Sequence, residues 1–226
     1  MITQQQKLMN KKGFIFDLDG VIVDTAKYHY LAWKELANEL GFDITLEQNE
    51  QLKGVSRIRS LEIILGWGNV TLTEEEFMKY MAEKNDNYLS HIAQMDAGEI
   101  LPDVPKILNY LQKKQQGIAL GSASKNARKI LQKVGLFNVF EGIVDGNDVS
   151  KAKPDPEVFL IAAQKLNITP KNCIVFEDSV AGVTAANTAE MISIGIGSEE
   201  TLGHADFVFN DFTEIQTSFI EELIKR

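Results

Sequence analysis

The 226-residue sequence has a single cysteine, Cys173, so no disulfide can form within the chain. Long apolar runs are also missing, since none approaches the ~18 residues that a membrane-spanning helix needs. Residues 1–12 are polar and lead into only a short apolar run, which is not typical of a signal peptide. These absences favour a cytoplasmic protein that folds around its own hydrophobic core.

Positive charge is also scarce, because 23 Lys and Arg stand against 32 Asp and Glu, for a formal net charge of −9. An acidic surface repels nucleic-acid phosphates and anionic membrane surfaces, which disfavours both classes of partner. A small anionic substrate is still compatible, since a pocket needs only a few cations or a bound metal. We therefore expect a monomer that acts on a small molecule.

Short runs of apolar and β-branched residues recur along the chain and end next to Gly, Ser or Asp. They lie at residues 13–16, 117–122, 141–146, 172–179 and 191–198. Runs that are apolar on both faces are typical of strands in a buried parallel sheet. Amphipathic segments alternate with them, at residues 103–115, 125–134, 155–166 and 180–189. This alternation predicts an α/β fold, a Rossmann-like parallel sheet with helices on both faces.

Residues 25–97 interrupt this alternation, because they contain no convincing strand. The helical stretches there are 26–40, 45–52, 57–66 and a long one that starts near Thr73. Thr73 followed by Glu76 has the spacing of a capping box, which supports that start. The pattern predicts an inserted all-α helical cap domain at residues 25–97. The α/β catalytic core would then comprise residues 1–24 and 98–226.

Acidic residues follow the predicted strands, at the edge where open parallel sheets bind ligands. The polar residues at these strand ends are Asp17, Asp19, Ser122, Asp145, Glu177 and Asp178. Carboxylates packed closely cannot all ionise without a cation, and Mg²⁺ suits oxygen ligands beside a phosphate. A lone Asp-x-Asp pair could simply turn the chain. Acidic pairs at two strand ends make that alternative weaker and predict a magnesium site.

The run FDLDGVIVDT, residues 16–25, resembles the first motif of the haloacid dehalogenase superfamily of phosphotransferases. Its other motifs are matched in order by Ser122, by Lys153 before Pro154, and by Glu177 with Asp178. The helical insertion also resembles the small α-helical cap of this superfamily. Within it, the chain resembles the β-phosphoglucomutase family in residues 25–37, 49–57, 83–88, 122–126 and 177–182. Several of these segments lie in the predicted cap, where members differ by substrate.

The resemblance implies a role for each acidic residue of the site. Asp17 would be the nucleophile that forms an aspartyl phosphate, and Asp19 the general acid and base. Mg²⁺ would be held by Asp17, Glu177, Asp178 and the backbone carbonyl of Asp19.

The resemblance also implies a set of phosphate- and sugar-binding residues. The core would contribute Ser122, Ala123 and Lys153 for the transferring phosphate, and Ser124, Lys125 and Asn126 for a second one. The cap would contribute Gly54, Val55, Ser56, Arg57, Lys84 and Trp33, with possible support from His29 and Thr25. Arg57 would bind the distal phosphate through its planar guanidinium. For Trp33 and His29, packing within the helix is an equally good alternative.

Three functions are compatible with these residues. The first is a phosphomutase of the isomerase class in carbohydrate metabolism. It would interconvert β-D-glucose 1-phosphate and glucose 6-phosphate, with glucose 1,6-bisphosphate as catalytic cofactor. The second is a sugar-phosphate or phosphoglycolate phosphatase of the same superfamily, in which water reaches the aspartyl phosphate. The third is a non-catalytic phospho-acceptor, which would not need Asp17, Asp19, Ser122, Lys153 and Asp178 together. A second phosphate site favours the mutase.

Overall fold

The centre of the fold is a six-stranded sheet in the order β3-β2-β1-β4-β5-β6, in which every neighbouring pair is parallel. The strands are β1 (Gly13–Phe16), β2 (Gly117–Gly121), β3 (Gly142–Val144), β4 (Cys173–Glu177), β5 (Ile192–Ile196) and β6 (Phe207–Phe209). The structure is a computed structural model that describes residues 11–226. The predicted parallel α/β sheet is confirmed, while most of the polar segment 1–12 lies outside the described residues.

A block of helices lies between β1 and β2. It comprises α1 (Ala26–Glu39), α2 (Leu46–Glu50), α3 (Arg57–Gly68) and α4 (Glu74–Ile92). Thr73 and Glu76 form the predicted capping box, and Thr45 with Gln48 form a second one. The block has a hydrophobic cluster of its own, in which Leu61 and Ile64 are fully buried. The predicted all-α insertion is thus present, and its bounds at residues 25 and 97 stay predictions.

The remaining helices cover the two faces of the sheet. They are α5 (Val104–Lys113), α6 (Ala127–Lys133), α7 (Glu157–Leu166), α8 (Val180–Thr188), α9 (Glu199–Leu202) and α10 (Thr217–Lys225). Alternate residues of β1 point to opposite faces, because the side-chain period of a strand is two. Phe16 packs in the cluster that includes α5, α6 and α10, while Ile15 packs in the one that includes α7 and α8.

The sequence patterns missed the end of the fold. β6, α9 and α10 were not predicted. β6 has only three residues, between Asp206 and Asn210, which are too few for a periodic pattern.

Cys173 is fully buried at the start of β4, and burial raises the pKa of its thiol to about 12. Among the helices of residues 11–226, none is long and apolar enough to span a membrane.

Candidate active site

A cavity of about 760 Å³ lies between the helical insertion and the carboxyl ends of the central strands. The predicted site residues that line it are Asp17, Asp19, His29, Trp33, Gly54, Val55, Ser56, Arg57, Lys84, Ser122, Ala123, Ser124, Lys125, Asn126, Lys153 and Asp178. Two further predicted residues, Thr25 and Glu177, do not line the cavity. Both are fully buried behind it and bind residues that do. The fold therefore brings together side chains from segments far apart in the chain.

The side chain of Asp17 is fixed at both carboxylate oxygens. Its Oδ1 accepts a hydrogen bond from Lys153 Nζ at 2.6 Å, and its Oδ2 accepts one from the Asp19 backbone N–H at 3.0 Å. Lys153 Nζ also contacts Glu177 Oε1 at 2.5 Å. Burial raises the pKa of Asp17 to about 7, because Lys153 only partly offsets the lost hydration and the repulsion from Glu177. Lys153 is thus the protein cation that neutralises this carboxylate.

Asp19 is held beside Asp17 by its own contacts with the insertion. The Thr25 hydroxyl donates a hydrogen bond to Asp19 Oδ1, and His29 Nε2 lies 4.0 Å from the same oxygen. Burial raises the pKa of Asp19, although the hydrogen bond from Thr25 opposes this. A carboxyl group with a raised pKa can hold a proton nearer neutral pH, which suits an acid and base.

The acidic pair at the end of β4, Glu177 and Asp178, supplies further carboxylates near Asp17. Burial and repulsion from Glu177 raise the pKa of Asp178 well above its usual value. Gly20 allows the Asp178 carboxyl group to approach the backbone closely, since a Cβ on residue 20 would lie 2.1 Å from Asp178 Oδ2. Lys53 Nζ lies 3.4 Å from that oxygen. The donor set is all oxygen, and its buried carboxyl groups ionise readily only beside a cation, so it fits Mg²⁺.

The acidic side chains do not form a ready metal centre by themselves. Within residues 11–226, no three His, Cys, Asp or Glu side chains converge as a metal-ligand cluster. Glu177 is turned towards Lys153 and also accepts hydrogen bonds from the backbone and hydroxyl of Ser179. The predicted Mg²⁺ ligands therefore fit by charge and donor type, and their roles stay a prediction.

The insertion lines its side of the cavity with several basic residues, among them Lys84 and Arg57. Lys84 Nζ lies 3.0 Å from His29 Nδ1, and 4.3 Å from the ring centroid of Trp33. Burial, reinforced by repulsion from Arg57, lowers the pKa of Lys84 to about 7. Burial also lowers the pKa of His29 well below its usual value, which favours the neutral imidazole. Trp33 combines the two predicted roles, because it packs in the insertion's cluster and also lines the cavity.

Lys53 is a cavity residue that the sequence analysis did not single out. It lies directly before Gly54, and its ammonium group reaches from the insertion to Asp178 in the core. Gly54 packs closely on the same region, since a Cβ there would lie 2.4 Å from Ser179 Oγ. The available signal for Lys53 in the sequence was its position directly before the predicted sugar-binding loop that starts at Gly54.

A second contact joins the insertion to the core on other segments. Asn126 Nδ2 of the core donates a hydrogen bond to Asn85 Oδ1 of the insertion at 3.0 Å.

Replacing Lys84 by methionine is expected to stabilise the fold in a pH-dependent manner. Its folded-state pKa is about 7, below the ~10.4 of an unfolded lysine. The cost of burying the charge is therefore complete below pH 7 and disappears as pH rises from about 7 to above 10. We expect Lys84→Met to raise the free energy of unfolding by about 2–4 kcal/mol at pH 6. The gain should shrink steadily at pH 7.5 and 9.

Urea unfolding at these three pH values measures the effect. Lys79→Met is the matched control, because Lys79 lies on the same helix but is exposed and forms an ion pair with Glu83. It should change stability by less than about 0.5 kcal/mol at each pH. A Lys84→Met protein less stable than the wild type at pH 6 would contradict this account of Lys84.

The site can be compared with known proteins. The sequence profile of the haloacid dehalogenase-like hydrolases matches residues 11–190. The beta-phosphoglucomutase of Bacillus subtilis strain 168 is 38% identical over 213 residues, which are 93% of this chain and 94% of that protein. A phosphorylated carbohydrates phosphatase of Thermotoga maritima is 30% identical over 180 residues, or 79% and 81% of the two chains.

The same relationship is found in three dimensions. The crystal structure of a beta-phosphoglucomutase from Clostridium difficile superposes with a TM-score of 0.90 at 42% identity. The match covers 95% of this chain and 97% of that one. The protein is accordingly a phosphotransferase or phosphatase enzyme with a Rossmann-like core. The chain belongs to the haloacid dehalogenase-like hydrolase family.

Proposed function

We propose that this enzyme is a phosphomutase that interconverts β-D-glucose 1-phosphate and glucose 6-phosphate. The observation that carries the proposal is the distribution of cations around one cavity. Lys153 from the core lies beside Asp17, while Arg57 and Lys84 face the same cavity from the insertion. A bisphosphate can therefore present one phosphate to Asp17 and the other to the insertion. The two beta-phosphoglucomutases named above support the choice of glucose phosphate.

The chemistry on Asp17 is a pair of in-line phosphoryl transfers. One carboxylate oxygen of Asp17 attacks the phosphorus of β-glucose 1,6-bisphosphate, and the bond from phosphorus to the sugar oxygen breaks. Asp19 gives its proton to that oxygen as it leaves. In the other direction, a sugar hydroxyl loses its proton to Asp19 as it attacks the phosphorylated Asp17. The sum regenerates the bisphosphate and converts one glucose monophosphate into the other.

The phosphate-binding residues of the core hold the group in transfer. Ser122 and the Ala123 N–H donate hydrogen bonds to it, and Lys153 supplies positive charge. Asp17, Glu177, Asp178 and the Asp19 carbonyl would hold Mg²⁺. When bound, the ion neutralises charge on the phosphoryl oxygens during transfer.

Removing divalent metal is expected to abolish turnover. The pKa values of Asp17 and Asp178 are raised because ionising these buried carboxyl groups is unfavourable, and an incoming phosphate dianion adds further negative charge beside them. A bound cation is therefore needed to hold carboxylates and phosphate together. We expect no detectable glucose 6-phosphate in EDTA, and full recovery when Mg²⁺ is added in excess over the chelator. The coupled assay for glucose 6-phosphate measures this, and thermal unfolding in the same buffers checks the fold. Undiminished activity after removal of metal would contradict the magnesium site.

Water exclusion separates a mutase from a phosphatase. The Lys53–Asp178 contact and the Asn85–Asn126 hydrogen bond join the insertion to the core on different segments. Close packing of Gly54 on Ser179 adds a third contact. A cavity covered in this manner limits attack of bulk water on the phosphorylated Asp17, so a sugar hydroxyl is the preferred acceptor.

A sugar-phosphate phosphatase is the second candidate function. The Thermotoga maritima relative is described as a phosphatase of phosphorylated carbohydrates. Both activities need Asp17, Asp19 and Mg²⁺, and they differ in whether water or sugar accepts the phosphoryl group.

The deciding experiment supplies β- and α-glucose 1-phosphate separately, with Mg²⁺ and a trace of glucose 1,6-bisphosphate. Glucose 6-phosphate and free phosphate are followed in the same samples. We expect glucose 6-phosphate as the main product, from the β anomer. Release of stoichiometric free phosphate with no glucose 6-phosphate would show that the enzyme is a phosphatase and contradict the proposed mutase function.

A further inference from the structure

The turn after β3, residues 145–148, contains an acidic residue that the site does not use. The sequence analysis placed Asp145 with the strand-end acids of the crevice, and the structure corrects this. Asp145 is 1% exposed and does not line the cavity. Its Oδ1 accepts hydrogen bonds from Asn147 N at 2.8 Å and Asn147 Nδ2 at 3.0 Å. Asp145 is thus an anchor within the turn.

Arg128, in the first turn of α6, fixes this turn from outside. Its guanidinium contacts Asp145 Oδ2 and donates to Asp148 Oδ2 at 2.8 Å and to the Ile143 carbonyl at 3.1 Å. Asp148 Oδ2 also accepts a hydrogen bond from Asp145 N at 2.9 Å. An arginine fork with two carboxylates and a carbonyl holds a turn in one conformation.

The turn at residues 145–148 also contacts the phosphate-binding loop, residues 122–126. Gly146 N donates to the Ser124 carbonyl at 3.2 Å, and Asn147 Nδ2 donates to the Lys125 carbonyl at 3.0 Å. Within the loop, Ser124 N donates to Ser122 Oγ at 3.1 Å, which leaves the Ser122 hydroxyl proton available to a ligand. The position of these groups therefore depends on the turn.

Gly146 makes the closest of these approaches. A Cβ on this residue would lie 2.4 Å from the Ala123 carbonyl oxygen and 3.2 Å from its carbonyl carbon. Because the obstacle is backbone, no side-chain rotation can relieve the clash. Any side chain at position 146 must displace the Ala123–Ser124 peptide, whose N–H orients Ser122 Oγ.

We propose that Gly146 and Asn147 are positioning residues, through which the Arg128-clamped turn sets the geometry of the phosphate-binding loop. Gly146 acts on the transferring phosphate through the Ala123–Ser124 peptide and Ser122. Asn147 acts on the second phosphate through the Lys125 carbonyl. The assignment of the two phosphates rests on the proposed mutase function, while the effect on phosphate binding does not.

The test compares Gly146→Ala and Asn147→Ala with Gly66→Ala. Gly66 is the matched control, because a Cβ there meets nothing within 4 Å and its helix α3 lies in the insertion. We expect Gly146→Ala to lower kcat about 100-fold, since small displacements of reacting groups have effects of that size. Asn147→Ala should raise KM for the bisphosphate about tenfold, the effect of one lost hydrogen bond, with kcat little changed. Gly66→Ala should change neither.

Calorimetric binding of inorganic phosphate, with thermal unfolding alongside, separates positioning from folding and from the choice of substrate. Gly146→Ala should weaken phosphate binding about tenfold even if the wild type releases phosphate and isomerises no sugar. Asn147 is exposed, so Asn147→Ala should keep its fold. If Gly146→Ala unfolds, bisphosphate binding by Asn147→Ala still tests the proposal. The proposal is overturned if Asn147→Ala binds bisphosphate as the wild type does. It is also overturned if a folded Gly146→Ala retains both kcat and phosphate affinity.

Discussion

Replacing Asp17 by asparagine is expected to lower turnover by about 10³-fold or more, because it removes the negative charge that makes the carboxylate a nucleophile. The amide keeps the shape of the side chain, so the fold should survive. Asp17 is a buried carboxylate whose pKa is raised to about 7, so the folded state does not depend on its ionisation. Steady-state turnover of glucose 1-phosphate and thermal unfolding of the same preparation measure the two halves of this expectation.

Asp24→Asn provides the matched control for this experiment. It makes the same chemical change seven residues later in the same motif, at an exposed position that does not line the cavity. Its turnover should stay within about twofold of the wild type. The aspartyl-phosphate mechanism is wrong if folded Asp17→Asn retains near-normal turnover. Acid-stable radioactive phosphate on Asp17→Asn, after incubation with labelled bisphosphate, would equally contradict it.

The strand ends were the most predictable part of this molecule. Apolar runs such as residues 13–16 are buried on both faces, and the acidic residues after them follow from the geometry of parallel sheets. Asp17, Asp19 and Asp178 line the cavity for this reason. The capping box at Thr73 was predictable as well, because both of its partners lie within four residues of chain.

Contacts between distant segments were not predictable from local patterns. Lys53 reaches Asp178 across 125 positions of sequence, and no spacing rule links them. The use of Asp145 as an anchor depends on Arg128, which contacts it and the Ile143 carbonyl only in the folded chain. β6 was missed because three residues are too few for a periodic pattern. Local sequence patterns thus predict the edge of the sheet at which the site lies. Tertiary packing determines which side chains line the cavity there.

Replacing Arg57 by alanine is expected to separate the mutase from the phosphatase. Arg57 begins α3, is half-buried, and lines the cavity from the insertion. None of the ion pairs within residues 11–226 involves it, and burial lowers its pKa. A guanidinium in this state is available to a phosphate dianion, which it can bind through two parallel hydrogen bonds.

In a mutase, Arg57 binds the phosphate that is not being transferred. Its truncation should therefore cost about 2–4 kcal/mol, or tens- to hundreds-fold in kcat/KM for isomerisation. Attack of Asp17 on a small acyl or aryl phosphate should be much less affected, because such a donor has no second phosphate. A phosphatase that acts on a monophosphate should likewise show only a small loss.

The measurement is kcat/KM for glucose 1-phosphate isomerisation and for phosphate release from an aryl phosphate, in wild type and Arg57→Ala. Lys79→Ala is the control, since Lys79 lies on α4 of the same insertion, has a side chain that is 65% exposed, and does not line the cavity. It should change both rates by less than about threefold. Loss of isomerisation with phosphate release preserved is the result that a second phosphate site requires. Equal and mild losses in both reactions, with free phosphate as the main wild-type product, would instead mean that Arg57 holds no distal phosphate and that water is the natural acceptor.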